Sequence, residues 1–260
     1  MPRFAANLSM MFTEHPFLDR FAAAAKAGFT AVEFLFPYDY PSEEIGKRLR
    51  DAGLTQALFN LPPGDWAAGE KGFAALPARF DDLKASLATA LPYAQATGVG
   101  RVHLMAGIAQ RSDAKAVEAF YKSVAYAAEF FAPHGLDVVL EPINPRNVPG
   151  YFLNDFHVAR DLIRELKLPN LKLQFDIYHC QIIHGDVTMR LREMMDIIGH
   201  IQIASVPSRN EPDGEELNYP FLFAELDRLG YAGFVGCEYN PRGRTEDGLA
   251  WFDQYKGARP

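Results

Sequence analysis

The sequence predicts an α/β fold, a single (β/α)8 barrel that spans residues 1–260, and three observations support this prediction. One order recurs along the chain: a helical stretch, a glycine, a short apolar run rich in strand-forming residues, and then a polar residue that proline often follows. Counting these runs gives eight strands, near residues 4, 31, 55, 101, 137, 171, 200 and 234. The chain length of 260 residues matches the usual size of such barrels, about 250 residues. The repeat alone also leaves a doubly wound open sheet as an alternative.

Each repeat has the composition of a helix that leads into a buried strand. In "AAKAGFTAVEFLFP" and "MDIIGHIQIASVP" the glycine suits the left-handed position that closes a helix. The runs that follow are short and rich in Val, Ile and Phe, which is typical of parallel strands covered on both faces. The first strand lies in "RFAANLSM" and the sixth in "LKLQFDIYH". The glycine-rich segment "GDWAAGEKGFAALP" predicts a loop after the third strand, and no interdomain linker is visible.

Composition and charge exclude several classes of protein. No apolar run reaches the roughly 20 residues of a membrane helix, and the N-terminus lacks the pattern of a secretory signal, so we expect a cytoplasmic protein with no membrane partner. The net charge of −7, without a basic run, argues against nucleic acid as a partner. The only two cysteines, Cys180 and Cys237, are interpreted as reduced core thiols. We expect a small-molecule substrate, and the sequence leaves assembly into a homo-oligomer open.

Polar residues occur where the predicted strands end, which in this type of barrel is where active sites lie. Asn7 and Asn60 are candidates for substrate contacts, although a solvated or hydrogen-bonded role at the barrel rim explains them, and Glu33, equally well. We interpret His103 as a structural histidine. The complete set consists of Asn7, Glu33, Asn60, His103, Glu141, Asp176, Gln202 and Glu238.

The last four predicted strands each carry one oxygen-bearing side chain at or near the end of an apolar run: Glu141, Asp176, Gln202 and Glu238. Three converging carboxylates would raise one another's pKa values, and a buried charge requires a partner. A divalent cation resolves both problems. Ligation by oxygen alone suits Mg²⁺ first and Mn²⁺ second, whereas zinc prefers His or Cys. A network of the same polar residues without metal is the alternative.

Several segments of the chain resemble the hydroxypyruvate isomerase family, within the xylose isomerase-like TIM barrels. The resemblance spans Asn7 to about Tyr239 and rests on "VEFLFPYDY", "FNLPPGDWAAGEKG", "LEPIN", "QFDIYHCQ", "HIQIASVPSRNEPDGEELN" and "GCEYNP". It implies that Glu141, Asp176, Gln202 and Glu238 bind the metal and that Glu141 and Glu238 are the paired acid/base glutamates. The chain differs from the family in one small respect. Asn210 in "RNEPDGEEL" stands at a position where we expect His or Gly in this family.

The implied reaction interconverts hydroxypyruvate and tartronate semialdehyde (2-hydroxy-3-oxopropanoate). It moves a carbonyl group by one carbon, so one proton must leave one carbon and another must reach its neighbour. Two carboxylates can perform these transfers, and a metal that contacts the substrate's carbonyl and hydroxyl oxygens would stabilise the intervening enediolate.

An anionic 2-oxo or hydroxy acid also requires a cation to bind its carboxylate. Three carboxylates and one divalent ion leave the site near −1. Arg209 is the candidate, because a guanidinium binds a carboxylate with two hydrogen bonds, and the resemblance supports it; a solvated surface arginine is the alternative. His179 is either a substrate contact or structural. Trp66, with Phe36, forms an apolar wall over the substrate or serves only packing.

Other functions compete with this interpretation. A metal-dependent hydrolase would require His-x-His on the first strand, and "FAANLSM" has none. A repair nuclease would require several zinc-binding histidines and a basic face. A non-catalytic sugar-acid-binding protein would need no paired glutamates. A 2-oxo-tetronate isomerase, or a related sugar-acid isomerase or epimerase, shares every strand-end residue with the predicted enzyme.

Overall fold

Eight parallel strands form a closed barrel in the computed structural model, which describes residues 1–256. The first strand pairs with the last, Arg3 with Phe234 and Ala6 with Cys237, so the predicted barrel is confirmed and the open sheet is excluded. Residues 257–260 of the predicted domain lie outside the described residues. The strands are β1 (Arg3–Asn7), β2 (Ala31–Phe34), β3 (Thr55–Asn60), β4 (Arg101–His103), β5 (Asp137–Leu140), β6 (Leu171–Asp176), β7 (Ile198–Ile203) and β8 (Phe234–Cys237).

Helices surround the barrel, and the first three end at a glycine as predicted. Gly199, which was predicted to close a helix, instead lies inside β7, and the preceding helix already ends at Met194. Gly28, Gly53 and Gly98 close the first three helices in the left-handed conformation. After β8 the chain forms a 3₁₀ helix, Thr245–Tyr255, instead of an α-helix. Within residues 1–256, none of the helices combines the length and apolar character needed to cross a membrane. The α-helices are α1 (Arg20–Ala27), α2 (Ser42–Ala52), α3 (Phe80–Thr97), α4 (Ala114–Phe131), α5 (Phe156–Leu166), α6 (Ile177–Ile183), α7 (Val187–Met194) and α8 (Tyr219–Arg228).

Side chains alternate between the two faces of each strand, and this alternation separates an apolar outer layer from a partly polar interior. On β1 and β2, Phe4, Ala6 and Val32 belong to the large core that includes the helices. Their neighbours Ala5 and Ala31 belong to a separate small cluster. Further along the same inner face lie buried polar side chains, which the strands carry toward the carboxyl end of the barrel: Asn7, Glu33, Gln174, Asp176, His200 and Gln202.

The loop after β3, predicted from its glycines, covers the carboxyl end of the barrel. Its segment 64–76 contains no helix or strand, and an isolated bridge joins Gly72 to Ala106. Gly72 has φ +102°, and a Cβ there would lie 2.3 Å from the carbonyl oxygen of Met105. Only glycine fits this close approach, which fixes the end of the loop against the chain that follows β4.

Candidate active site

Three side chains from β5, β6 and α6 meet at the carboxyl end of the barrel. Glu141 follows the last residue of β5, Asp176 ends β6, and His179 lies in the first turn of α6. One ligand atom of each lies within 4.8 Å of the other two, and all three residues are buried. Because the strand ends at Asp176, the following helical turn carries His179 back toward the carboxylates.

Two buried carboxylate oxygens of this cluster have no hydrogen-bond partner, Oε1 of Glu141 and Oδ2 of Asp176. The other oxygen of Asp176, Oδ1, accepts the backbone N–H of Tyr178 at 2.8 Å. An unpartnered buried carboxylate oxygen is unfavourable, and a cation would satisfy both. Within residues 1–256 this is the one cluster of three His, Cys, Asp or Glu side chains with such spacing.

Burial raises the pKa values of the carboxyl groups at the site. It raises the pKa of Asp176 to about 6 and that of Glu238 to about 8, and the charge of Arg209 opposes both shifts. The pKa of Glu141 is well above its usual range because of burial first and then the charges of Glu238 and Asp176. A divalent cation would favour the ionised forms, and carboxylate oxygens are the ligands that Mg²⁺ prefers. Glu141 and Asp176 therefore fit a divalent cation, whereas Glu238, also predicted as a ligand, lies outside this cluster and pairs with Arg209.

Gln202 lies beside Asp176 in the β6–β7 ladder, and its amide is part of a hydrogen-bond network inside the barrel. Its Nε2 donates to Oε1 of Glu33 at 2.8 Å, and its Oε1 accepts from Nε2 of Gln174 at 2.6 Å. Because Oε1 of Glu33 accepts this hydrogen bond, Glu33 holds the amino group of Gln202 toward itself. The amide oxygen of Gln202 then faces away from Glu33.

Glu33 is the centre of this network, a role that sequence reasoning did not assign to it. Besides Gln202 it accepts hydrogen bonds from Nδ2 of Asn7 at 2.9 Å and from Nε2 of His200 at 2.6 Å. A Cβ at Gly236 would lie 2.2 Å from Oε2 of Glu33, so the glycine leaves room for the carboxylate. The Oδ1 of Asn7 accepts the backbone N–H of Ser9. Both ends of the Asn7 amide thus have partners inside the protein.

Arg209 lies against the carboxylates, with 18% of its side chain exposed. Its Nη2 donates to Oε2 of Glu238 at 2.7 Å and lies 3.7 Å from Oδ2 of Asp176. The guanidinium also lies 4.8 Å from the ring centroid of Tyr178. The backbone at Arg209 has φ +57°, which is unfavourable for a residue other than glycine, and its carbonyl accepts the N–H of Asn240. The surrounding loop therefore holds this arginine in place.

His179 is a neutral histidine whose tautomer follows from its contacts. Burial lowers its pKa well below the usual value, and the nearby charge of Arg209 adds to this shift. Its Nδ1 accepts the backbone N–H of Asn144 at 3.3 Å. The proton of the neutral ring is therefore on Nε2, which lies 3.5 Å from Oδ2 of Asp176 and 3.8 Å from Oε1 of Glu141. His179 thus presents a hydrogen-bond donor to the site.

A cavity of about 330 Å³ opens over these groups. Both glutamates predicted as catalytic border it, as do Asn60, Trp66 and Arg209, whereas Asn7, Asp176 and Gln202 lie outside its lining. His103, interpreted from the sequence as structural, also borders it, with Nδ1 3.6 Å from Oε2 of Glu141. Burial, followed by the charge of His200, lowers the pKa of His103 to about 3, so its ring is neutral.

The loop after β3 contributes two side chains to the cavity wall. Trp66 packs on Phe36 with ring centroids 5.1 Å apart. Lys71 places its Nζ 3.5 Å from the centroid of the Trp66 ring. Sequence reasoning identified Trp66 and missed Lys71, although the lysine stands in the segment "GEKG" that contributed to the family resemblance. The sequence did offer one signal for Lys71. It is a basic residue in a short segment bounded by two glycines, within a loop that was predicted to follow a strand end.

Comparisons with known proteins agree with this architecture. A family model described as xylose isomerase-like TIM barrel matches residues 21–255. The chain is 54% identical over 259 residues to a 2-oxo-tetronate isomerase of Cupriavidus necator, covering 99% of this chain and 100% of the relative. It is 42% identical over 258 residues to the hydroxypyruvate isomerase of Escherichia coli K12, covering 98% and 100%. A crystal structure from Brucella melitensis, described as an AP endonuclease of family 2, superposes with a TM-score of 0.96 at 52% identity, covering 98% of this chain and 100% of the other.

Proposed function

This chain is an isomerase of the xylose isomerase-like TIM barrel family, and we propose that it interconverts hydroxypyruvate and tartronate semialdehyde by proton transfer between two glutamates. The resemblance to the hydroxypyruvate isomerase family is confirmed by these relatives. The substrate, the metal and the roles of the individual residues are our proposals.

One observation carries the proposal: Glu141 and Glu238 border the same cavity from strands three positions apart around the barrel. Both carboxyl groups are buried, and their pKa values are raised, that of Glu238 to about 8. A bound cation would lower these pKa values, so the support for an acid/base pair is that both carboxyl groups face the same cavity. A protein that only binds sugar acids has no need for this pair.

The two glutamates account for the proton transfers of the reaction. One carboxylate removes a proton from C3 of hydroxypyruvate, the electron pair of the C–H bond forms a C2–C3 double bond, and negative charge passes to the C2 oxygen. The other glutamate, in its acid form, delivers a proton to C2. The hydroxyl proton on the C3 oxygen moves to the C2 oxygen as the new carbonyl forms. We propose that Nε2 of His179, which faces Asp176 and Glu141, donates a hydrogen bond to the oxygen that gains charge.

The proposed cation ligands are Glu141, Asp176, Gln202 and Glu238. A bound Mg²⁺ or Mn²⁺ would supply positive charge next to the two reacting oxygens and make the C–H bond more acidic. Arg209 already offsets the charge of Glu238 and Asp176, and we propose that it also contacts the substrate.

A second substrate, 2-oxo-tetronate, is favoured by one observation, the 54% identity to a 2-oxo-tetronate isomerase. This acid has the same C2 carbonyl and C3 proton as hydroxypyruvate and one further hydroxylated carbon. The same two glutamates would therefore act on it without change. We propose it as the alternative substrate of the same site.

The description of the Brucella melitensis structure suggests nuclease activity. Two features of this chain argue against that activity. The net charge is −7, and the metal-type cluster found within residues 1–256 contains one histidine, whose Nε2 carries its proton. Nucleic-acid binding relies on Lys and Arg contacts to phosphates.

The test follows both acids by proton NMR in D2O. Protein treated with a chelator, and the same protein given Mg²⁺ or Mn²⁺, is mixed with hydroxypyruvate or 2-oxo-tetronate in separate samples. We expect loss of the C3 proton signal and formation of the isomer for at least one acid, only with the cation. Full turnover in the metal-free protein would contradict the metal. Binding of the acids without exchange would identify a binding protein, and cleavage of a duplex with an abasic site would identify a nuclease.

A further inference from the structure

We propose that Lys71, which the loop after β3 holds at the wall of the cavity, binds the carboxylate of the substrate. This inference rests on the proposed function and identifies the residue that distinguishes a 2-oxo acid from an uncharged ketose. Lys71 is not among the site residues predicted from the sequence.

The first support is its position. Lys71 is half-buried and borders the same cavity as Glu141, Glu238 and Arg209. Its Nζ lies 3.5 Å from the centroid of the Trp66 ring and 3.4 Å from the carbonyl oxygen of Trp66. The ring shields one side of the ammonium group from water. The cavity side therefore offers the ammonium a place to bind an anion.

The second support is its charge. Among residues 1–256, no carboxylate lies within 4.0 Å of the Lys71 ammonium. Arg209, the other cation of the cavity, already contacts Glu238 and Asp176. Burial lowers the pKa of Lys71 because the partly desolvated ammonium lacks an anion to offset the lost hydration. A bound carboxylate would supply that anion and form a charge-assisted hydrogen bond.

The third support is the way the loop fixes Lys71 on both sides. Gly72 donates its N–H to the carbonyl of Pro63 at 2.8 Å and is bridged to Ala106. Glu70, on the other side, forms an ion pair with Arg79 and accepts a backbone N–H within the same loop. The lysine backbone is thus ordered before substrate binds. Pre-ordered groups bind more tightly because less conformational entropy is lost on binding.

The test compares Lys71→Met, which nearly keeps the length of the side chain, with Lys71→Arg, which keeps the charge. We expect Lys71→Met to raise the KM for hydroxypyruvate by about tenfold to a hundredfold, as expected for losing a hydrogen bond to a charged group. Lys71→Arg should recover most of this loss. Lys122→Met is the matched control, since its ammonium also lies over an aromatic ring, 4.1 Å from the centroid of Phe80, but outside the cavity.

A binding measurement separates this inference from the proposed reaction. Glycerate cannot isomerise and keeps the carboxylate, whereas glyceramide replaces it with a neutral amide of the same shape. Calorimetry should show that Lys71→Met weakens glycerate binding by about tenfold or more and leaves glyceramide binding unchanged. Equal losses for both ligands, an unchanged glycerate affinity, or no glycerate binding by the unmodified protein would overturn the inference. If the unmodified protein binds glycerate but isomerises neither acid, the proposed reaction fails while Lys71 is still tested.

Discussion

Asp176 uses its two carboxylate oxygens for different purposes. Oδ1 accepts the N–H of Tyr178 and caps the first turn of α6, while Oδ2 faces Arg209 and His179 without a hydrogen bond of its own. The cap fixes the rotation of the carboxylate, because the capping oxygen must point at the helix N-terminus. The same turn places His179 next to Oδ2. One residue thus both orders the helix and orients an oxygen toward the site.

At this scale we predict that Glu141→Gln and Glu238→Gln each reduce isomerisation by at least about 10²-fold. An amide cannot accept the substrate's proton near neutral pH, although its oxygen can still bind a cation and its size is nearly the same. The rate of isomer formation is measured by NMR, and the metal content of each variant is measured in parallel. The second measurement distinguishes a lost base from a lost cation.

Glu211→Gln is the control for replacing a buried glutamate outside the cavity. Glu211 is buried and ion-paired with Arg242, so its replacement should leave the isomerisation rate near that of the unmodified protein. If Glu141→Gln and Glu238→Gln both keep metal and near-normal rates, proton transfer by this pair is wrong. A hydride shift between the two carbons would then explain the reaction better.

At the scale of elements, strands distant in sequence combine to orient single side chains. Glu33 from β2 reaches across Gly236 of β8 to His200 and Gln202 of β7. With Asn7 of β1 and Gln174 of β6, the network takes side chains from four strands, β1, β2, β6 and β7, and it depends on the absence of a side chain at Gly236 of β8. Positioning of a ligand by such outer contacts commonly decides how well it binds a metal.

We predict that Glu33→Ala lowers the free energy of unfolding by about 3–5 kcal/mol, because it leaves the buried donors of Asn7, His200 and Gln202 without their acceptor. It should also weaken Mn²⁺ binding about 10- to 100-fold, since the Gln202 amide is no longer held in one orientation. Urea unfolding and calorimetric titration with Mn²⁺ measure the two effects. Glu33→Gln keeps one acceptor oxygen and should lose less of both, whereas an unchanged Mn²⁺ affinity in Glu33→Ala would contradict the positioning role.

An ion pair joins Arg192 of α7 to Glu225 of α8, and its contribution to stability should depend on pH. Arg192 of α7 and Arg228 of α8 both donate to Glu225, and these hydrogen bonds lower the pKa of Glu225 to about 2. A folded-state pKa below the unfolded value means that the stabilisation is complete above about pH 4.5 and is lost as the pH falls toward about 2. Glu225→Gln should unfold at lower urea than the unmodified protein at pH 7, and the difference should shrink below pH 4.5. A difference independent of pH would show that the effect is not electrostatic.

At the scale of the whole molecule, the sequence was sufficient to predict the strands because each one repeats the same local pattern. The glycines that close helices and the apolar runs after them are local signals, and all eight strands lie where they indicate. The role of Glu33 could not be predicted from a local sequence pattern. Glu33 interrupts an apolar run between Val32 and Phe34, whereas Glu141 ends one, and its partner His200 lies 167 positions away. Lys71 escaped prediction because its place over the cavity depends on the bridge between Gly72 and Ala106.

A bound cation would also stabilise the folded protein as a whole. A cation that binds only the folded state stabilises it by about 2.7 kcal/mol at a concentration 100 times its dissociation constant. For a protein of this size that corresponds to an increase in Tm of about 5–11 °C. We therefore expect Mg²⁺ or Mn²⁺ to raise the Tm of chelator-treated protein in a scanning calorimeter.

Asp176→Asn is the matched variant, because its amide oxygen can still cap α6 while the negative charge at the site is lost. It should show a much smaller increase. If millimolar Mg²⁺ and Mn²⁺ leave the Tm of the unmodified protein unchanged, the four oxygen-bearing residues form a polar network without metal, and the charge of the substrate must be offset by Arg209 and Lys71 alone.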